Sequence, residues 1–169
     1  WATSMVACGD ADGAVTGNTR RFGASLEKIK QVVDVRKGEI MFGLNMVVNK
    51  GKTIFIADTS VHEYPTSEEM AEIAISAARV VRLFGIDPKI AFVSHSTFGQ
   101  PLTSRTKHIR AAVDILKEKQ VNFEFDGDMQ PDVALNPEYG ELYPFAKIVG
   151  KANILIMPGQ HSAAISYKL

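Results

Sequence analysis

The chain has 169 residues and a mass of 18.5 kDa, with 46% hydrophobic and 22% charged residues, and its 19 Lys and Arg balance 19 Asp and Glu. A formal charge of zero supplies no positive field to neutralise phosphates, so nucleic acid is not an expected partner. Apolar runs such as 154–157 fall far short of the ~20 residues of a membrane helix, so no membrane partner is expected either.

One cysteine, Cys8, can make no internal bridge and no cysteine cluster offers a zinc site, which makes a reducing cytoplasm the simplest compartment. The length suits one globular domain or two small lobes. The first residues lack the basic segment and apolar core of a signal peptide. A helical pattern beginning at Ser162 reaches Leu169 without a terminating residue, so the chain is expected to be a segment of a longer polypeptide.

In chain order, residues 2–7 are short and mostly apolar and read as a strand, followed by a loop at Gly9-Asp10-Ala11-Asp12-Gly13. From Ala24, the apolar residues Leu26, Ile29, Val32 and Val33 recur at helical spacing, and Gly38 marks the end of that pattern. Residues 40–48 and 53–57 are branched and aromatic with a polar turn between them, which predicts a hairpin running into Asp58-Thr59. Residues 66–85 carry the strongest signal. Thr66 and Glu69 have capping-box spacing, Met70, Ile73, Ala74, Ala77, Val80, Val81 and Phe84 form one stripe, and Gly85 and Pro88 stop it.

Residues 90–93 read as a buried strand leading to the polar run Ser94-His95-Ser96-Thr97-Phe98-Gly99. A helix is expected over 104–119, a strand over 121–125 closing on Asp126-Gly127-Asp128, a loop and short helix over 131–149, and a last strand over 152–157. Strands alternating with amphipathic helices predict an α/β fold, a mostly parallel sheet layered with helices.

In such folds ligands gather outside the carboxyl ends of the strands, where helix N-termini present unpaired N–H groups. Ser94, Ser96, Thr97 and Gly99, with Arg105 and Lys107 after them, suit a phosphate group; a Ser/Thr-rich helix cap explains the same residues. His95 and His161 lie in neither a nucleophile elbow nor a HExxH helix, and ordinary loop hydrogen bonding accounts for both. Asp126 and Asp128, two apart in an extended segment, would send their carboxylates to one side as a divalent cation needs, whereas Asp-Gly turn formation is the plainer account. Gly9, Gly13 and Gly17 do not have GxGxxG spacing, and Cys8 reads as a small buried core residue.

Taken together, the segments 11–17, 57–59, 65–75, 84–89, Ser94-His95-Ser96-Thr97, Asp126-Gly127-Asp128-Met129 and 151–158 resemble the phosphate acetyl/butyryltransferase family over nearly the whole chain. Ala57-Asp58-Thr59-Ser60-Val61-His62 and Ser94-His95-Ser96-Thr97-Phe98-Gly99 are most similar to the C-terminal phosphotransacetylase-like domain of bacterial NADP-dependent malic enzymes. The resemblance implies a two-lobed fold like that of isopropylmalate dehydrogenases, present here as a fragment. Residues 1–19 and 150–169 would belong to one lobe and 20–149 to an inserted second one.

It further implies a CoA or acetyl-CoA site, a homodimer or higher oligomer, and a malic enzyme catalytic domain in the same polypeptide that would hold NADP and a divalent metal. The implied CoA and acyl-phosphate contacts are Thr16, Gly17, Arg20, Ser94, Ser96, Thr97, Arg105, Asp126, Gly159 and Gln160, with no metal ligand and no catalytic residue.

Departures from the family pattern matter. Glu27 stands where active transferases carry an arginine, Phe98 replaces a lysine, and His161-Ser162-Ala163-Ala164 replaces an asparagine or glycine. The family's serine-arginine stretch would lie beyond Leu169. Acyl transfer to phosphate builds negative charge that cations must stabilise. An acetyl-CoA-binding regulatory domain is therefore expected ahead of a working phosphate acetyltransferase, and that ahead of a dimerisation scaffold.

Overall fold

A computed structural model describes all residues, 1–169, and the chain divides into two units, 1–39 and 40–169. Residues 154–156 hydrogen-bond into the sheet of the second unit. No helix is long and apolar enough to cross a membrane.

In the first unit, residues 2–7 are not a strand. They belong to helix α1, Ala2–Cys8, closed by left-handed Gly9, with Asp10 N–H donating to the Met5 carbonyl at 2.8 Å. Seven residues are too few for periodicity to separate a strand from two helical turns, and alanine favours the helix. Cys8 is exposed, correcting the expectation that it fills a core. Helix α2, Phe22–Lys30, places Lys28 and Lys30 in its last turn, where the dipole favours cations. It ends well before Gly38, and Val32 and Val33 follow it in turns.

The second unit opens with the expected hairpin, β1 at Leu44–Asn49 and β2 at Lys52–Ala57, paired antiparallel around left-handed Lys50 and Gly51. Helix α3, Ser67–Leu83, carries the full capping box of Thr66 and Glu69. Strand β3, Lys89–Val93, is followed by α4, Ser104–Glu118, which has a second capping box between Thr103 and Thr106. Beyond β4, Glu124–Met129, lie α5, Pro131–Leu135, and a 3-10 turn, Pro137–Glu141. Strand β5, Ile154–Ile156, and α6, Gln160–Ser166, complete the unit.

The sheet order is β1-β2-β5-β3-β4, with β1 antiparallel and the other four parallel. Alternation along the strands divides the core. Phe55, Ile90, Phe92, Ile154 and Ile156 pack against α3 and α4 through Met70, Ile73, Ile109 and Leu116. Ile56, Ala91, Val93 and Leu155 face the other way, against Met129, Val133, Ile148 and Ala163. Central strands covered on both faces explain their continuous apolar runs.

Strand β4 lies later than the expected 121–125 and runs through Asp126-Gly127-Asp128, which is therefore not a turn. Its ladder pairs Ala91 with Asp126 and Phe92 with Gly127, then shifts so that Val93 meets Met129. Gly127 has φ 151°, and a Cβ there would stand 2.8 Å from Phe92 Cβ and 2.9 Å from the Phe92 carbonyl oxygen. Asp-Gly supplies a bulge against a neighbouring strand, a use of glycine that local spacing does not separate from a turn.

Candidate functional site

Because β2, β5, β3 and β4 are parallel, their carboxyl ends share one edge of the sheet, and the segments after them form three hydrogen-bonded clusters.

The first is built on Asp58, whose side chain is almost wholly buried. Oδ1 accepts from the backbone N–H groups of Gly43 at 2.7 Å, Ser60 at 2.8 Å and Val61 at 3.1 Å. Oδ2 accepts from His62 N–H at 2.7 Å and lies 2.7 Å from His62 Nδ1. The segment after β2 is thus wound around one carboxylate. Gly159 and Gln160 attach to the same segment. Gln160 N–H donates to the Glu63 carbonyl at 3.1 Å and its side-chain amide to the Ser60 carbonyl at 3.4 Å.

The second cluster joins the β3 and β4 ends. Ser96 is fully buried and its hydroxyl donates to Asp128 Oδ2. Ser94 Oγ accepts from Ser96 N–H at 3.3 Å, and Thr97 Oγ1 accepts from Gln130 N–H at 3.2 Å. Asp128 is also fully buried, and its Oδ1 has no hydrogen-bond partner. A buried carboxylate oxygen without a donor is costly, which marks this cluster as a strained polar point in the fold.

The third cluster lies between the starts of α3 and α4. The Ser67 hydroxyl donates to the His108 carbonyl at 2.8 Å, His108 Nε2 stands 2.9 Å from the Pro65 carbonyl oxygen, and the Arg105 guanidinium lies 4.9 Å from the centre of the Tyr64 ring.

The structure thus brings Ser94, Ser96 and Thr97 into one buried group, with Gly159, Gln160 and Arg105 at the same sheet edge. Asp126 is not the carboxylate that meets the hydroxyls. Its Oδ1 accepts from Gly127 N–H at 2.9 Å and its Oδ2 from Lys147 N–H at 3.0 Å. The bulge at Gly127 gives the two aspartates different partners, which corrects the paired-cation reading; no three His, Cys, Asp or Glu side chains gather as a metal would require. Thr16, Gly17 and Arg20 lie in the first unit, where Thr16 and Arg20 line a cleft of about 540 Å³ with Ser25 and Lys28. Glu27 is exposed and pairs with Lys30 at 3.8 Å. His95 is exposed and its carbonyl accepts from the Gln130 side chain, while His161 is exposed on α6.

Sequence reading assigned no role to Asp128 beyond the Asp-Gly pair, nor any to His62 or His108. Period-2 alternation could have placed Asp128 beside its neighbour, but its Ser96 partner lies 32 residues away and only the β3–β4 register reveals it. Replacing Asp128 with Ala leaves the buried Ser96 hydroxyl without its acceptor, and a loss of about 2–3 kcal/mol in urea unfolding is expected. Asp128→Asn, which keeps an acceptor, should cost distinctly less.

Comparison with known proteins agrees with this geometry. The family model described as phosphate acetyl/butaryl transferase matches residues 1–169. The NADP-dependent malic enzyme of Rhizobium meliloti is 46% identical over 169 residues, which is the whole of this chain and 22% of that protein. The phosphate acetyltransferase of Bacillus subtilis is 30% identical over 171 residues, with 53% of its length covered. A crystal structure of a phosphotransacetylase from Streptococcus pyogenes superimposes with a TM-score of 0.88 at 30% identity, over 98% of this chain and 52% of that one. The chain therefore spans between about a fifth and a half of the proteins it resembles. A match along its entire length, on a sheet edge lined with the motifs that first suggested the likeness, identifies it as a member of the phosphate acetyl/butaryl transferase family.

Proposed function

We propose that this chain is the C-terminal, acetyl-CoA-binding regulatory domain of an NADP-dependent malic enzyme, which senses the thioester without turning it over. The observation that carries the reading is the Ser94, Ser96, Thr97 and Asp128 group at the carboxyl edge of the sheet, with one buried carboxylate oxygen lacking a donor. Phe98, where family likeness expects a lysine, leaves the group without a cation beside the hydroxyls, so it suits binding better than stabilising a charged transition state.

In this reading Ser94, Ser96, Thr97, Arg105, Gly159 and Gln160 are ligand contacts in the second unit, and Asp126, held by backbone N–H groups, is kept only on family likeness. Thr16, Gly17 and Arg20 carry over by family likeness. NADP and a divalent metal belong to a catalytic domain elsewhere in the polypeptide, which works in the cytoplasm as a homo-oligomer and decarboxylates malate to pyruvate. Occupancy shifts an equilibrium between assembled states by its differential affinity for them, and the coupling is reciprocal.

Titration calorimetry of the intact polypeptide with acetyl-CoA tests the reading. Saturable heat is expected in the wild type, with affinity lowered about tenfold in Ser96→Ala, the equivalent of one polar contact. No saturable heat in the wild type overturns it and leaves a scaffold. The alternative, a working phosphate acetyltransferase, is favoured by the Arg20 and Lys28 side chains lining the first unit's cleft. It predicts phosphate-dependent thiol release from acetyl-CoA well above background.

A further inference from the structure

The chain contains two Asp-Gly sequences, Asp12-Gly13 and Asp126-Gly127, and the fold gives them opposite surroundings. In an Asp-Gly pair the backbone nitrogen of the glycine can reach the aspartate side chain, because glycine has no Cβ to block the approach and its backbone turns freely. Such an attack needs two freedoms. The side chain must rotate until Cγ faces the nitrogen, and the peptide group between the residues must turn to meet it.

At Asp126 neither freedom exists. Its Oδ1 accepts from Gly127 N–H at 2.9 Å and its Oδ2 from Lys147 N–H at 3.0 Å, so the carboxylate is tied at both oxygens. The backbone is fixed as well, with Asp126 opposite Ala91 and Gly127 opposite Phe92 in the β3–β4 ladder.

At Asp12 both freedoms exist. Asp12 and Gly13 are exposed in the coil that joins α1 to α2, and residues 11–16 make no hydrogen bond or ion pair within the protein. The nearest ties are Asp10 N–H to the Met5 carbonyl before them and Thr19 N–H to the Gly17 carbonyl after them, both at 2.8 Å. A Cβ on Gly13 would meet nothing within 4 Å, so no neighbouring group hinders the turn.

We propose that Asp12-Gly13 is a site of spontaneous rearrangement to isoaspartate and that the fold protects Asp126-Gly127 from the same reaction. The Gly13 nitrogen attacks Cγ of the protonated Asp12 side chain. A C–N bond forms, the C–OH bond breaks, and the hydroxyl leaves as water with the amide proton, giving a cyclic imide. Water then adds to the imide. Opening at Cγ restores aspartate, and opening at the backbone carbonyl carries the chain through the β carbon and leaves the α-carboxylate as the side group. No reagent but water is required. The product lengthens the link between α1 and α2 by one methylene, whatever ligand the protein binds.

The test is peptide mapping of the intact polypeptide aged at neutral pH, with isoaspartate detected by enzymatic methylation of its carboxylate and the imide by the loss of one water in mass. Folded wild type, Gly13→Ala and wild type aged in urea are compared. Gly13→Ala should fold with an unchanged urea midpoint, since its Cβ enters open space. In folded wild type, isoaspartate should accumulate at Asp12 at least about tenfold faster than at Asp126, which reacts only when β4 opens. Gly13→Ala should slow the reaction at Asp12 severalfold and leave Asp126 as it was. In urea the two sites should react at similar rates.

Two results overturn the proposal. One is isoaspartate at Asp12 in urea but none in the folded protein, which would mean that the loop is held. The other is equal accumulation at Asp12 and Asp126 in the folded protein, which would mean that the strand gives no protection.

Discussion

Replacing Asp58 with Ala should lower the unfolding free energy by about 4 kcal/mol, since four backbone N–H groups lose a charged acceptor in a place nearly closed to water. The loss reaches beyond the residue. Gly43 N–H, just before β1, is held by the same carboxylate as the 60–62 segment, so the hairpin edge and the loop that anchors Gln160 loosen together. Gly43 is close enough that a Cβ on it would sit 2.6 Å from Thr59 Oγ1, leaving no room for another anchor. Asp58→Asn keeps one carbonyl acceptor and should cost about half as much. Urea unfolding of the three proteins checks the order. Near-equal stability of wild type and Asp58→Ala would mean that the loop is held by other contacts.

Gly150→Ala should be comparably damaging, at about 4 kcal/mol from left-handed strain and backbone overlap combined. Gly150 has φ 70°, and a Cβ would fall 2.3 Å from Pro137 Cα, 2.5 Å from Pro137 N and 2.7 Å from the Asn136 carbonyl carbon. These are backbone atoms, so no rotamer change relieves the overlap. Gly150 N–H also donates to the Val133 carbonyl at 2.9 Å, tying the end of the 137–149 segment to α5. That segment carries Tyr143 and Phe145, which brace Phe98, so the variant should also loosen the turn that follows the hydroxyl cluster. Gly140→Ala is the matched control, because a Cβ there meets nothing within 4 Å. Similar losses in both variants would place the effect in general loop flexibility and not at the Pro137 contact.

The parts of the fold legible from sequence are those fixed by neighbours within one or two turns. Thr66 and Glu69 announce α3 because a capping box is a local exchange of hydrogen bonds, and the apolar stripe behind it has one periodicity. The β1–β2 turn is likewise local. Residues 2–7 defeated the same reasoning, since so short a run of Ala, Thr, Ser, Met and Val satisfies either period, and the helix is closed by Gly9, which reads equally well as the start of a loop. Strand β4 extends beyond its sequence signal because Asp-Gly-Asp signals a turn to its neighbours but forms a bulge against Phe92, far away in the chain.

The candidate site divides along the same line. Ser94, Ser96 and Thr97 were legible as hydroxyls after a buried strand, and the structure gathers them. Their carboxylate partner was not. Family likeness points to Asp126, whereas the register of two parallel strands delivers Asp128, and Asp126 is occupied by the N–H groups of Gly127 and Lys147. The wiring of Asp58 was equally invisible, for Gly43 lies 15 residues before it and nothing in the local pattern connects them. Phe98 was recognised only as a departure from a lysine. Its bracing by Tyr143 and Phe145 fixes the turn after the hydroxyls, a role that depends on a segment some forty-five residues further along the chain.

The measurement that bears most directly on the central claim is the rate of malate oxidation by the intact polypeptide as acetyl-CoA is raised, with free thiol followed in the same sample in the presence of phosphate. Saturable inhibition without thiol release is expected, with the half-inhibiting concentration raised about tenfold by Ser96→Ala. Thiol release in step with acetyl-CoA, or an oxidation rate indifferent to it, would contradict the account.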